Sequence, residues 1–152
     1  MNKRTLGVTL VIALATSMFL VAGLYAGTKV EDEFFMNSPY PHKKSLSKFT
    51  HKKHITEYEI GCGECHHNDK GEPLNDLKEG DEVQKCFECH KKPGEIKGKK
   101  AKGLSKKEKR EYHGNAVHDN CLGCHRKYNK EKGTKDAPTK CTACHPKKEK
   151  KK

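Results

Sequence analysis

The chain has 152 residues, 34% of them charged and 32% hydrophobic, with eight Cys, ten His, no Trp and a formal net charge of +12. Residues 1–26 alone hold 17 of the apolar residues, and eight of those that remain are cysteines. So little apolar material, against roughly 1–2 kcal/mol of backbone entropy per ordered residue, excludes an ordinary globular enzyme; the chain is either largely disordered or built around something other than its own side chains.

Lys3 and Arg4 precede an uncharged run from Thr5 to Thr28, with small residues at Ala22, Gly23, Ala26 and Gly27. This is the pattern of a secretory signal over residues 1–26, cleaved after Ala26. The run is also long enough, at about 20 residues, to span a bilayer, so an uncleaved anchor is the alternative. Both place residues 29–152 outside the cytoplasm. Residues 27–47 carry Glu31, Asp32, Glu33 and two prolines, and read as an extended lead-in with a short strand pair. The segment Phe49-Thr-His51-Lys-Lys-His54 then sets two histidines three apart, on one turn of a predicted helix.

Every cysteine lies in one of four copies of one pattern: Cys62-Gly-Glu-Cys65-His66, Cys86-Phe-Glu-Cys89-His90, Cys121-Leu-Gly-Cys124-His125 and Cys141-Thr-Ala-Cys144-His145. Cys-x-x-Cys-His is the attachment signature of c-type haem. Over one helical turn both thiols lie on one side, where they form thioethers to the porphyrin, and the following His addresses the iron. Zinc ribbons also use Cys-x-x-Cys pairs, but they do not require a His after every second Cys. Four adjacent-pair disulfides would close only tiny loops and constrain the chain little. The expected cofactors are four haem c.

Between the motifs, Gly71-Glu-Pro73 and Asn75-Asp76 mark turns. Ser105-Lys-Lys-Glu108 is a capping box that starts a helix of about two turns, expected to stop at Gly114. A second short helix is expected from Ala116 through the third motif, and Gly133 and Pro138 break the chain before the fourth. Successive motifs start 24, 35 and 20 residues apart, which keeps the four porphyrins close.

Each iron has a second face to fill. Six histidines lie outside the motifs: His42, His51, His54, His67, His113 and His118. Met36 is the one methionine past residue 26, so Met could serve one iron at most. Irons with His on both faces belong at the strongly reducing end of a range of ~0.8 V set by axial ligands. His51 and His54 on one turn could flank two haems. His67 follows His66 directly, so its side chain diverges toward a different haem. His118 stands three residues before Cys121 and can leave the haem attached there for another.

The set Phe-x-His-x-x-His, then Cys-x-x-Cys-His-His, then three further motifs resembles the class III tetrahaem cytochromes c, the cytochrome c3 family of sulfate-reducing bacteria, over residues 48–145. The resemblance implies that His51 is the sixth ligand of the haem on Cys62, Cys65 and His66. It likewise assigns His67 to the haem on Cys86, Cys89 and His90, His54 to that on Cys121, Cys124 and His125, and His118 to that on Cys141, Cys144 and His145. The expected fold is a small, haem-dominated multihaem cytochrome: few short α-helices, minimal β structure, much loop and a tetrahaem core. The domain reading is a signal or anchor at 1–26, a lead-in at 27–47, the tetrahaem domain at 48–145 and a Lys-rich tail at 146–152.

Two departures from the family pattern bear on the sites. All four motifs here are short, where many members have a longer spacing at the second and fourth. The family's Tyr-His-x-x-His-Asp element is stretched to Tyr112-His113-Gly-Asn-Ala-Val-His118-Asp119, which makes His113 the rival of His118 for the fourth haem.

Charge is polarised. Residues 55–90 hold ten acidic and three basic side chains, whereas residues 91–152 hold 21 basic and seven acidic. Such a dipole steers acidic partners onto one haem edge, with a steep salt dependence. The resemblance implies a periplasmic electron carrier, with no substrate chemistry, passing electrons between hydrogenase or formate dehydrogenase and membrane-bound multihaem complexes. Expected with it are a monomer, no nucleic acid, and peripheral contact with anionic lipid. The alternatives are a multihaem reductase with one open iron, at the His113/His118 position, and a membrane-anchored relay.

Overall fold

The computed structural model describes residues 31–147. The signal or anchor at 1–26 and all but the first two residues of the 146–152 tail lie outside them. Two strands, β1 (Phe34–Phe35) and β2 (Lys48–Phe49), pair antiparallel with Phe34 opposite Phe49 and Phe35 opposite Lys48. The register is set by cross-strand chemistry. The rings of Phe34 and Phe49 meet edge to face at 5.5 Å, and Lys48 pairs with the Glu33 carboxylate. The strand pair expected inside the lead-in thus straddles it, because the partner of Phe34 comes from after residue 47.

Helix α1 (His51–Thr56) follows β2 at once, and the Lys52 N–H reaches the Asp32 carbonyl at 3.1 Å. Each haem motif forms a helical turn. The first is a 3-10 turn, Cys62–Glu64; the second is α2 (Cys86–Cys89). Gly71 has φ 83°, the left-handed conformation a Gly adopts freely, and closes the turn expected there. Within Glu79–Glu82, Gly80 turns the chain with φ 95°.

Beyond a 3-10 turn at Gly98–Ala101 comes α3 (Lys106–Arg110), whose Ser105 and Glu108 form the capping box in both directions. Helix α3 is five residues long and ends before Gly114. Gly114 instead lies in the first turn of α4 (His113–Lys132), a 20-residue helix that carries the whole third motif. The reason is a close approach. Gly114 N–H donates to the Gly94 carbonyl at 2.8 Å, and a Cβ on Gly114 would sit 2.6 Å from that oxygen. Helix α4 ends where the sequence predicts, at Gly133 in the left-handed conformation with φ 63°. The fourth motif forms α5 (Cys141–Cys144).

Among the described residues no apolar side chain is buried; Ser38, at 7% exposure, is the one buried polar residue. Apart from the 20-residue α4, where a short helix from Ala116 is expected, short helices, two paired strands and much loop are what the sequence predicts. The same holds for the lack of a side-chain core.

Candidate metal centres

Eight imidazoles meet in four pairs. The ring centroids of His51 and His66 lie 6.3 Å apart, those of His67 and His90 6.0 Å, those of His54 and His125 6.4 Å, and those of His118 and His145 6.2 Å. With metal–nitrogen bonds of about 2 Å, two imidazoles on opposite sides of one metal place their centroids about 6 Å apart. Each pair joins one motif histidine to one histidine from outside the motifs. Each pair of rings would therefore leave room for one metal ion between them.

Local structure explains who meets whom. His51 and His54 share one turn of α1 but point their rings at different motifs, since three residues of helix turn the second side chain by about 300°. His66 and His67 diverge because consecutive side chains do, and an antiparallel bridge from His67 to Pro73 fixes that loop. His118 and His125, two turns apart on α4, meet partners from α5's motif and from α1.

The other ring nitrogen is equally organised. Nδ1 of His54 donates to the Thr50 carbonyl at 2.8 Å, His67 to Asn68 at 2.8 Å, and His90 to Arg110 at 2.5 Å. Nδ1 of His125 donates to the Pro138 carbonyl at 2.7 Å and that of His145 to Ser45 at 2.7 Å. A carbonyl only accepts, so Nδ1 carries the proton in each, and Nε2 is left with its lone pair free for a metal. His118 differs: its Nδ1 faces the Glu95 carboxylate at 3.4 Å. Burial, then the neighbouring His51 and His67, pushes His66 below the usual histidine range, toward the neutral form that ligates.

The other two non-motif histidines stand elsewhere. His42 places Nε2 3.2 Å from the Ser38 carbonyl. His113 packs its ring against Tyr40 at 5.6 Å and Phe87 at 6.4 Å. The ring that faces His145 belongs to His118.

None of the eight cysteines is joined to another in a disulfide. Burial pushes the thiols of Cys65, Cys86 and Cys144 up, and that of Cys121 up to about 11, with Cys65 nearby adding to it. A thioether carries no charge, so attachment through these sulfurs incurs no such burial penalty. The Asn120 amide reaches the Cys65 carbonyl at 3.4 Å, which sets the first and third motifs side by side. Among the described residues no group of three or more His, Cys, Asp or Glu side chains is arranged to hold an ion. Paired thiols on a helical turn, a histidine beside them and a second imidazole about 6 Å beyond fit a covalently attached haem at each of four places.

The profile of the Class III cytochrome C family matches residues 28–145. The chain belongs to that family. A class III cytochrome c is a multihaem electron-transfer protein rather than an enzyme. It carries four haem c, for which the eight cysteines of the four motifs are the attachment points. The chain is 35% identical to a cytochrome c3 of Maridesulfovibrio salexigens over 107 residues, 69% of this chain and 82% of that protein. It is 31% identical to a cytochrome c3 of Desulfovibrio desulfuricans over 106 residues, 68% of this chain and 81% of that one.

Sequence reasoning did not single out Glu95 or the carbonyls behind the other rings. Backbone carbonyls carry no residue signature. Glu95 sits 23 positions from His118, too far for a local pattern to join them.

Proposed function

We propose that this class III cytochrome c is a low-potential periplasmic electron carrier whose four irons are each closed by two imidazoles. His66, His90, His125 and His145 are the ligands on the attachment side; His51, His67, His54 and His118, in that order, are the ligands opposite. The observation that supports this reading is the set of four ring separations between 6.0 and 6.4 Å, each joining one of these pairs. When bound, haem supplies one-electron chemistry. In five of the eight imidazoles a peptide carbonyl keeps the proton on Nδ1 and so presents Nε2, and two imidazoles at each iron would leave no position for a substrate. Axial His without Met favours the reducing end of the haem range.

The proposed organisation is a signal at 1–26 removed on export, a lead-in at 27–47, the haem domain at 48–145 and a basic tail at 146–152. The proposed partners are a hydrogenase or formate dehydrogenase on one side and membrane-bound multihaem complexes on the other. The excess of basic side chains in residues 91–152 steers an acidic partner. Carbon monoxide tests the closed sites: the spectrum of the fully reduced protein should not change under it, and stoichiometric binding at one haem would establish the reductase reading instead. Intact mass of the exported protein should give four haems on a chain beginning after Ala26. Its reduction by hydrogenase under hydrogen should slow steeply with added salt.

A further inference from the structure

Five of the eight paired imidazoles back onto a peptide carbonyl, whereas His118 backs onto a carboxylate. We propose that Glu95 is a positioning residue for the fourth haem, setting the orientation and electron donation of His118 and lowering the potential of that haem relative to one backed by a carbonyl. The inference rests on His118 being the ligand opposite His145.

The contact is built by the fold. Asn115, one turn before His118 on α4, clamps the peptide of Ile96 from both sides: its Oδ1 accepts from Ile96 N–H at 2.7 Å, and its Nδ2 donates to the Ile96 carbonyl at 3.1 Å. Gly114 N–H holds the Gly94 carbonyl at 2.8 Å. Glu95 is thus pinned between two fixed peptides and presented to the next turn of the helix. The far end of α4 repeats the device. Asn129, one turn after His125, clamps Ala137 at 3.0 and 2.8 Å and so presents the Pro138 carbonyl to His125 Nδ1. One arrangement delivers a carbonyl and the other a full negative charge.

The carboxylate has a second partner. Glu95 Oε2 takes the Lys97 ammonium at 2.9 Å while Oε1 faces His118 at 3.4 Å. Glu95 is 32% exposed and Lys97 79%, so the carboxylate is the better shielded charge of the two. A negative charge behind an axial imidazole raises the basicity of the ligand and favours the ferric state. Lys97 offsets part of that charge.

The test is a haem-resolved redox titration of the fully loaded protein with two substitutions of opposite sign. Glu95→Gln keeps the acceptor oxygen and removes the charge. One haem should become easier to reduce by about tenfold in its equilibrium constant, or ~59 mV for one electron. The other three should hold their values, with no carbon monoxide binding. Lys97→Met leaves the carboxylate unopposed, and the same haem should become harder to reduce. A purely structural role would not give opposite shifts at one haem. Unchanged potentials in Glu95→Gln, or shifts of one sign in both variants, would overturn the proposal. Should Glu95→Gln fail to mature, Lys97→Met decides alone. His118→Ala separates the two readings: carbon monoxide binding at one haem supports the ligand, and four closed haems would refute the ligand and with it the role of Glu95.

Discussion

The ring of His54 lies 6.4 Å from that of His125 with the two planes only 25° apart, whereas the other three facing pairs stand at 87°, 67° and 83°. Imidazole planes that are nearly parallel lift the degeneracy of the iron orbitals that mix with them; crossed planes leave it nearly intact. With the proposed ligands, electron paramagnetic resonance of the oxidised protein should show one rhombic low-spin signal and three strongly axial ones. Four signals of one type would contradict these ring geometries.

Removing His54 should act on that signal alone. In His54→Ala the haem on Cys121 and Cys124 loses one axial imidazole, so the rhombic signal should vanish and one equivalent of carbon monoxide should bind on reduction. The other three pairs share no residue with His54, although the packing of His54 against Phe49 at 4.6 Å is lost as well.

The Gly114 contact is a stability prediction. A Cβ there would lie 2.6 Å from the Gly94 carbonyl oxygen, and backbone on both sides leaves it no room to yield. Gly114→Ala should therefore destabilise the protein by about 1–3 kcal/mol, as overpacking does. That outweighs the ~1 kcal/mol which Ala gains over Gly inside a helix. Denaturant melts of the holoprotein measure the difference.

The cap of α3 should respond to acid. Hydrogen bonds from the Ser105 side chain and backbone hold the Glu108 carboxyl below the usual carboxylate range. Its contribution is complete above that range and fades as pH falls through the lowered value. Amide exchange in α3, referenced to the intrinsic rate at each pH, should show lost protection on acidification. Glu108→Gln, which keeps the box without titrating, should flatten that response. Ser105→Ala should cost about 1 kcal/mol of local helix stability at all pH values.

These sites were legible to different depths in the sequence. Motif spacing alone marks the four attachment turns, and three-residue spacing puts His51 and His54 on one helical turn. The capping box and the Gly133 stop are equally local, so they read directly from neighbours in the chain. Gly114 misleads because a glycine near a helix end is commonly a stop. Its actual role depends on Gly94, twenty residues away, and no local pattern reports that contact. The pairing of Phe34 with Phe49 escapes for the same reason, so the sequence places the strand pair wholly inside the lead-in. For the facing histidines, residue type and spacing give the candidates. Only three-dimensional packing sets His118 rather than His113 against His145 and brings Glu95 behind it.

Helix α4 carries His118 and His125 seven positions apart on one unbroken rod, so their rings spring from the same stripe about 10 Å apart. With the proposed ligands, the spacing between the third and fourth haems is thereby set by a rigid part. A single inserted or deleted residue between them would swing one imidazole by about 100° and unseat it. The same holds on α1, where His51 and His54 stand three positions apart and face the first and third motifs.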